Sequence, residues 1–252
     1  MEFKDKTAIA SGAASGMGLE FSKIFTDIGG NVVMCDVNEE ALKKCVDEIK
    51  SKGKGKAIGV ICDVRDYVQV ANACKVANET FGSIDLVCNF AGGTAVRVLG
   101  ARGKYEDFAD VPIEIYDWGI DVNLKGQFYF CHAACKYMRE QKSGVIINIG
   151  SISGCEGDPF GMDYPTAKSG VMNGLTRSVA QYGKKYGIRC VCISPGPVLT
   201  RPDMAQMKTI NGRAAEPHEI IDLILYVASE KGDFINGENI MIDGGRNAMG
   251  RG

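Results

Sequence analysis

The sequence predicts an α/β fold: a single domain on a doubly wound, parallel, seven-stranded sheet with helices on both faces. Three observations lead there. Seven apolar runs lack the polar alternation of half-exposed strands and read as strands covered on both sides. Segments of helical period fill the gaps between them from one end of the chain to the other, which is the pattern of repeated βα units. The 252 residues are 45% hydrophobic and 24% charged, enough for one sizeable core. No linker, repeat or low-complexity stretch divides them.

In chain order the strands are expected at 7–10, 31–35, 57–62, 85–90, 144–149, 188–194 and 239–242. The helices fall between them at 16–29, 39–52, 66–81, 113–140, 163–186 and 217–229. Helix 39–52 shows the period well: Leu42, Cys45, Val46 and Ile49 form one stripe and charges occupy the rest. In strand 188–194, Cys190 and Cys192 alternate and point to one buried face. The whole chain, 1–252, is read as one unit, with substrate-side loops near 93–110 and 195–216.

Composition excludes several classes. Lys plus Arg is 29 against 31 for Asp plus Glu, a net charge of −2. A surface built to neutralise phosphates is normally basic, so no nucleic-acid partner is expected. No apolar run approaches the roughly 18 residues of a spanning helix, so no membrane partner is expected either. Residues 1–6 are charged and lead straight into a short strand-like run, unlike a signal peptide. Most of the ten cysteines lie in apolar runs, where a free thiol behaves as a small hydrophobe. Cys131, His132 and Cys135 share a helix face and are weighed as metal ligands against plain packing. Packing is preferred, no metal is assigned, and a cytoplasmic location is expected.

The segment Ser11-Gly12-Ala13-Ala14-Ser15-Gly16-Met17-Gly18 follows the first strand and opens the first helix. A plain strand-to-helix turn needs one glycine, not three. Gly12 permits a tight turn, Gly16 lets backbone approach a pyrophosphate, and Gly18 lets helix meet strand. The helix N-terminus then offers unpaired N–H groups to phosphate. Asp36, at the end of the second strand, is 24 residues beyond Gly12. A carboxylate there accepts from an adenosine ribose and repels a 2′-phosphate, and no Lys or Arg lies within six residues to offset it. These residues point to NAD(H) as cofactor; the alternative for Asp36 is a solvated helix cap. Asp63, in Ile61-Cys62-Asp63-Val64, is either an adenine-edge residue or a helix start.

Tyr164 and Lys168 are four residues apart, one turn along a helix face. A phenol titrates near 10, too high for proton exchange at neutral pH, and a neighbouring cation favours the phenolate. Ser151 lies at the end of the fifth strand, on the carboxyl edge where open sheets bind ligands.

With these residues in hand, the whole sequence resembles the short-chain dehydrogenase/reductase family, a Rossmann-like fold. The glycine turn is similar to the family's Thr-Gly-x-x-x-Gly-x-Gly, with Ser11 for the threonine. Asn89-Phe90-Ala91-Gly92 is similar to its Asn-Asn-Ala-Gly, with Phe90 for the second asparagine. Asn123, in Asp121-Val122-Asn123-Leu124, matches the catalytic asparagine, and Ser151, Tyr164 and Lys168 match the remaining catalytic residues. Pro195-Gly196-Pro197-Val198-Leu199-Thr200 resembles the segment whose threonine holds the nicotinamide carboxamide.

The resemblance implies hydride transfer between nicotinamide and a secondary alcohol or ketone such as a polyol, a sugar derivative or a hydroxysteroid. Tyr164 is the implied acid/base, Ser151 holds the substrate oxygen, Lys168 binds the ribose and lowers the phenol, and Asn123 holds a relay water. The implied cofactor set is Gly12, Ser15, Gly16, Met17, Asp36, Asp63, Val64, Asn89, Ala91, Gly92, Tyr164, Lys168, Pro195, Gly196, Val198 and Thr200. Asn89 is further given a role in holding the central sheet. A homotetramer or dimer through the two long helices is implied too. A 3-oxoacyl-acyl-carrier-protein reductase is the alternative, and a non-catalytic NAD-binding regulatory protein a weaker one.

Two lengths depart from the family. Relatives commonly run about 18 residues from Asn89 to the aromatic position of Tyr116, in a type of connection that varies with binding function. Here the interval is 27 residues. The segment from Thr200 to Arg213 is in turn short. The expectation is that the long 93–110 loop covers a pocket that the shortened 201–212 flap leaves open. Arg97, Arg102 or Lys104 would then reach an acidic or oxygen-rich substrate, against the plainer reading of a solvated loop or subunit contact. Ser153, Cys155, Glu156, Asp158, Phe160 and Met162 are candidates by position alone and receive no role.

Overall fold

The computed structural model describes residues 3–249 apart from 53, 102, 106 and 160. Seven strands form one parallel sheet: β1 (Thr7–Ser11), β2 (Asn31–Asp36), β3 (Ala57–Ile61), β4 (Leu86–Asn89), β5 (Gly144–Ile149), β6 (Ile188–Pro195) and β7 (Asn239–Ile242). Their order is β3-β2-β1-β4-β5-β6-β7. The order reverses between β1 and β4, which pair in register from Ala8 opposite Leu86 to Ser11 opposite Asn89. Ligands of such sheets bind at that reversal, beyond the carboxyl ends of the strands.

Helices α1 (Gly16–Asp27), α2 (Glu39–Lys52) and, at the far end of the chain, Pro217–Ala228 cover one face. Phe21, Phe25, Leu42, Val46, Ile220 and Ile224 are buried there. Helix α3 (Tyr67–Phe81) and the two long helical segments cover the other, burying Val70, Cys74, Phe130, Met138 and Ala180. The apolar stripe of α2 is buried as its period requires. Asp66 caps α3 by accepting from the Val68 amide at 2.8 Å, and Gly82 ends it in the left-handed region.

The expected long helices are present but interrupted. After a short α4 (Ala95–Val98), α5 (Ile113–Ile120) passes through a π-helical turn, Asp121–Lys125, into α6 (Gly126–Gln141). Beyond α7 (Ser153–Glu156), α8 (Asp163–Gly170) passes through a second such turn, Val171–Leu175, into α9 (Thr176–Gly183), and Pro217–Ala228 is then α10. A wide turn breaks the i→i−4 ladder and releases carbonyls. Side chains take them up: Asn123 Nδ2 donates to Gly119 O at 2.9 Å and Thr176 Oγ1 to Val171 O at 2.7 Å. Periodicity does not report such a turn, because each flanking helix keeps its own α-helical period and the five-residue turn is too short to show one.

Candidate active site

A cleft of about 770 Å³ runs along the carboxyl ends of the strands, within the size range of cofactor sites. Its nucleotide end is fixed by glycine sterics. Gly12 has φ +65°, and a Cβ there would stand 2.8 Å from the Ala91 Cα. A Cβ on Gly18 would strike the Gly12 carbonyl. The Ala91 amide donates to Ser11 Oγ at 3.1 Å, so the hydroxyl that stands for the family's threonine ties the turn to the loop after β4. The first turn of α1 carries no acidic side chain, which leaves its amide dipoles for an anion. Asp36 accepts from the Ala14 amide through Oδ2 and from the Asn38 amide through Oδ1, both at 3.0 Å. Its carboxylate therefore stands fixed beside the glycine turn. Asp63 pairs with Arg65, which holds its carboxyl below the usual range.

The chemical end lies beyond β5. Ser151 is buried at the strand's end, and its hydroxyl hydrogen-bonds Tyr164. Lys168, also buried, donates from Nζ to Ile149 O at 2.7 Å and stands 5.4 Å from the Tyr164 ring centre. Burial lowers Lys168 to about 8. Burial pushes the Tyr164 phenol up, while the Ser151 hydroxyl and the charges of Arg201 and Arg97 pull it back. With protein groups alone the phenol thus sits above its ordinary value, the reverse of the lowering that the Tyr–Lys spacing suggested.

Asn123 is wholly buried: Oδ1 accepts from the Gly93 amide at 3.0 Å, and Nδ2 donates to Gly93 O and Gly119 O at 2.9 Å. Its side chain thus holds the loop after β4 to the π turn. Gln127, absent from the sequence-based site, completes the link. Its Nε2 donates to Asn123 O at 3.1 Å and to Ile149 O at 2.9 Å, the carbonyl that Lys168 also uses, while its Oε1 accepts from the Ile149 amide at 3.0 Å. Nothing in a single sequence marks a glutamine on a helix for this position.

Of the residues assigned to cofactor, all but Asn89 line the cleft; Ser151 lines it too, and Asn123 lies beneath it. Asn89 faces into the sheet instead, donating to Asn148 Oδ1 at 2.9 Å. Its side chain therefore joins β4 to β5 and does not line the cleft. Cys131 packs against Asn148 in the core while His132 bonds Tyr67 Oη at 2.7 Å, so the two face different partners. Among the described residues no three His, Cys, Asp or Glu side chains gather as metal ligands.

The model of the short chain dehydrogenase family matches residues 6–211. The chain belongs to that family. The trans-4-hydroxycyclohexanecarboxylate dehydrogenase of Sinomonas cyclohexanicum is 37% identical, over 97% of this chain and 93% of its own. The cyclohexanol dehydrogenase of an Acinetobacter species is 32% identical, over 96% and 95%. A crystal structure of a 3-oxoacyl-acyl-carrier-protein reductase from Brucella melitensis, with bound NAD, superposes with a TM-score of 0.87 at 27% identity, covering 98% of this chain and 92% of that one.

The open end of the cleft is built largely from loops, and the length changes have a different result from the one expected. Only the start of the long loop reaches the cleft, through Thr94, Arg97 and Val98. Beyond it Ala101 and Tyr105 pack with Ile115 and Val111, and Lys104 is exposed and does not line the cleft. Arg102 lies outside the described residues. The 201–212 segment, although short, contributes to the wall: Arg201, Met204 and Met207 line it. Ser153 and Trp118 complete that end. Glu156 is taken by an ion pair to Arg246 at 2.8 Å. Asp158 and Met162 line a separate shallow groove along α8, Cys155 is exposed, and Phe160 lies outside the described residues.

Proposed function

We propose that the protein is an NAD(H)-dependent dehydrogenase that interconverts a secondary alcohol and its ketone, with Tyr164 as acid and base. The observation that carries this reading is the convergence of Ser151, Tyr164 and Lys168 at one end of a cleft whose other end is the glycine turn and Asp36. Bound NAD supplies the hydride acceptor and, when oxidised, a positive charge beside the phenol. During oxidation Tyr164 Oη takes the hydroxyl proton as the carbinol C–H is lost as hydride; during reduction it returns the proton. Ser151 Oγ donates to the substrate oxygen and steadies its developing charge. The Lys168 ammonium favours phenolate on Tyr164 and binds the ribose hydroxyls. Asn123 and Gln127 hold the Ile149 and Gly93 backbone around that ammonium, and a water on this network returns the proton to solvent.

Asp36 supports NAD over NADP, since a 2′-phosphate beside a fixed carboxylate is repelled. Asp63 and Val64 are assigned to the adenine, and Pro195, Gly196, Val198 and Thr200 to the nicotinamide. Two relatives act, by name, on hydroxylated cyclohexane rings, so cyclic secondary alcohols join polyols, sugars and hydroxysteroids as candidates. The Brucella relative favours the second reading, a 3-oxoacyl-acyl-carrier-protein reductase. We further assign a reducing, cytoplasmic setting from the free thiols, nine of them buried. A homodimer or homotetramer through α6 and α9 would cover the exposed Phe128 and Tyr182.

The test is a screen of NAD and NADP against an alcohol panel spanning those classes, with acetoacetyl thioesters run in the reductive direction. NAD-linked oxidation that falls about 1,000-fold in kcat in Tyr164→Phe is expected. Unchanged turnover in that variant overturns the mechanism, and equal kcat/KM with NADP overturns the role of Asp36.

A further inference from the structure

The substrate end of the cleft carries a group of large apolar side chains, Val98, Trp118, Met204 and Met207, and two guanidinium groups. Arg97 comes from α4 on one side and Arg201 from the segment after Thr200 on the other. Both charges act on the Tyr164 phenol through space, so both stand within Coulomb range of the atom that exchanges the substrate's proton. A neutral alcohol would need neither.

Arg97 is held in place by the architecture. A Cβ on Gly93 would come 2.7 Å from its Nη2, so the guanidinium lies over Gly93 because that residue has no side chain. Helix α4 is itself clamped: the amide of the wholly buried Ala95 donates to Asp163 Oδ2 at 3.3 Å. Asp163 directly precedes Tyr164, and its carboxylate occupies the notch that Gly119 leaves. The base of Arg97 is therefore tied to the helix that carries the catalytic phenol. Arg201 is oriented by Asp203, at 2.8 Å, through a pair whose side chains are 39% and 48% exposed. An exposed pair of that kind contributes little and leaves the guanidinium free to exchange partners. Asp203 faces Arg201, while the Asp163 carboxylate, turned to the Ala95 amide, is raised by burial towards its neutral form.

Two guanidiniums beside a group of large apolar side chains match a ligand with an apolar body and a carboxylate, since the planar fork pairs with carboxylate oxygens two at a time. We propose that Arg97 and Arg201 form a carboxylate subsite, and that the substrate is a hydroxy acid whose carboxylate lies across an apolar body from the reacting carbinol. The substrate assignment rests on the dehydrogenase reading above; the subsite itself does not.

Binding and turnover therefore test different things. In an NMR titration with NAD present, benzoate is expected to bind at least tenfold more tightly than benzamide, its neutral counterpart. In the Arg97→Met, Arg201→Met double variant that ratio falls to near one, while Arg97→Lys, Arg201→Lys keeps part of it. Equal binding of the two probes by the unaltered protein, or a preference that survives in the methionine variant, overturns the subsite. In turnover, a hydroxy acid should exceed its methyl ester at least tenfold in kcat/KM, chiefly through KM. A benzoate preference without any NAD-linked turnover would keep the subsite and overturn the dehydrogenase reading alone. An ester oxidised as well as its acid would overturn the substrate class.

Discussion

The two ends of the cleft are held by different kinds of structure. At the glycine-turn end, position is set chiefly by backbone against backbone, Gly12 against Ala91 and Gly18 against Gly12, with the Asp36 carboxylate bonded to the Ala14 amide. At the substrate end it is set by single side chains bridging short segments. Asp163 holds α4, Thr209 Oγ1 donates to Arg213 O at 2.8 Å, and Arg246 ties Glu156 to Lys208 O. A backbone contact that only glycine allows tolerates no change, whereas a side-chain bridge over a loop can be rebuilt with other residues. On the proposed reading, one end would suit a constant cofactor and the other a substrate that differs among relatives.

Lys168 sits where the two ends meet, and it gives the largest expected effect on stability. Its folded pKa, about 8, lies below the ordinary value near 10.4. Between those values the unfolded chain binds more protons than the folded one, so this group makes stability rise with pH across that window. Below about pH 8 the buried ammonium carries a cost of up to about 3 kcal/mol relative to a solvated one. Lys168→Met is expected to gain on the unaltered protein at pH 7, and the difference should shrink as pH rises from 8 towards 10.5. Denaturant titrations at several pH values read this directly. A difference that stays constant across the window would mean that Lys168 is not desolvated.

Next in size is a paired glycine test of the comparison itself. Gly12→Ala places a Cβ against the Ala91 backbone and should cost about 1–3 kcal/mol, as overpacking does, with NAD affinity falling at least tenfold. Gly100 also has positive φ, but a Cβ there meets nothing within 4 Å. Gly100→Ala carries only the backbone strain and should leave NAD affinity unchanged. Equal losses in the two variants would break the distinction between a rigid end and an adaptable one.

The same distinction explains how much could be read from the sequence. All seven strands, and the turn with Gly12, Gly16 and Gly18, were legible because a buried parallel strand must be apolar and a crowded turn must be glycine. Ser151, Tyr164 and Lys168 were legible because their spacing is set by one strand end and one helix turn. The π turns were not, since a polar side chain bonding a carbonyl four or five residues back, as Asn123, Gln127 and Thr176 do, looks in sequence like any polar residue on a helix. The loops were misread as well. Length alone suggested that residues 93–110 cover the mouth, but Ala101 packs against Ile115 and most of the described residues after it are exposed. Arg201 and Trp118 went unnoticed because their importance comes only from the cleft they face.

The smallest expected effect falls on the bridge at the substrate end. Arg246 bonds Glu156 at 2.8 and 3.3 Å and Lys208 O at 3.1 Å, joining the turn after Ser151, the 201–212 segment and the chain beyond β7. The pair is partly exposed, with side chains 24% and 29% accessible, so Arg246→Ala should cost no more than about 1 kcal/mol of stability. Its consequence should be local. Lys208 lies beside Met207, which lines the mouth, and loosening it should raise the substrate KM a few fold while the dissociation constant for NAD stays the same. That split follows only if the two ends of the cleft are held independently. A parallel loss of NAD affinity would show that the side-chain bridges also support the nucleotide end.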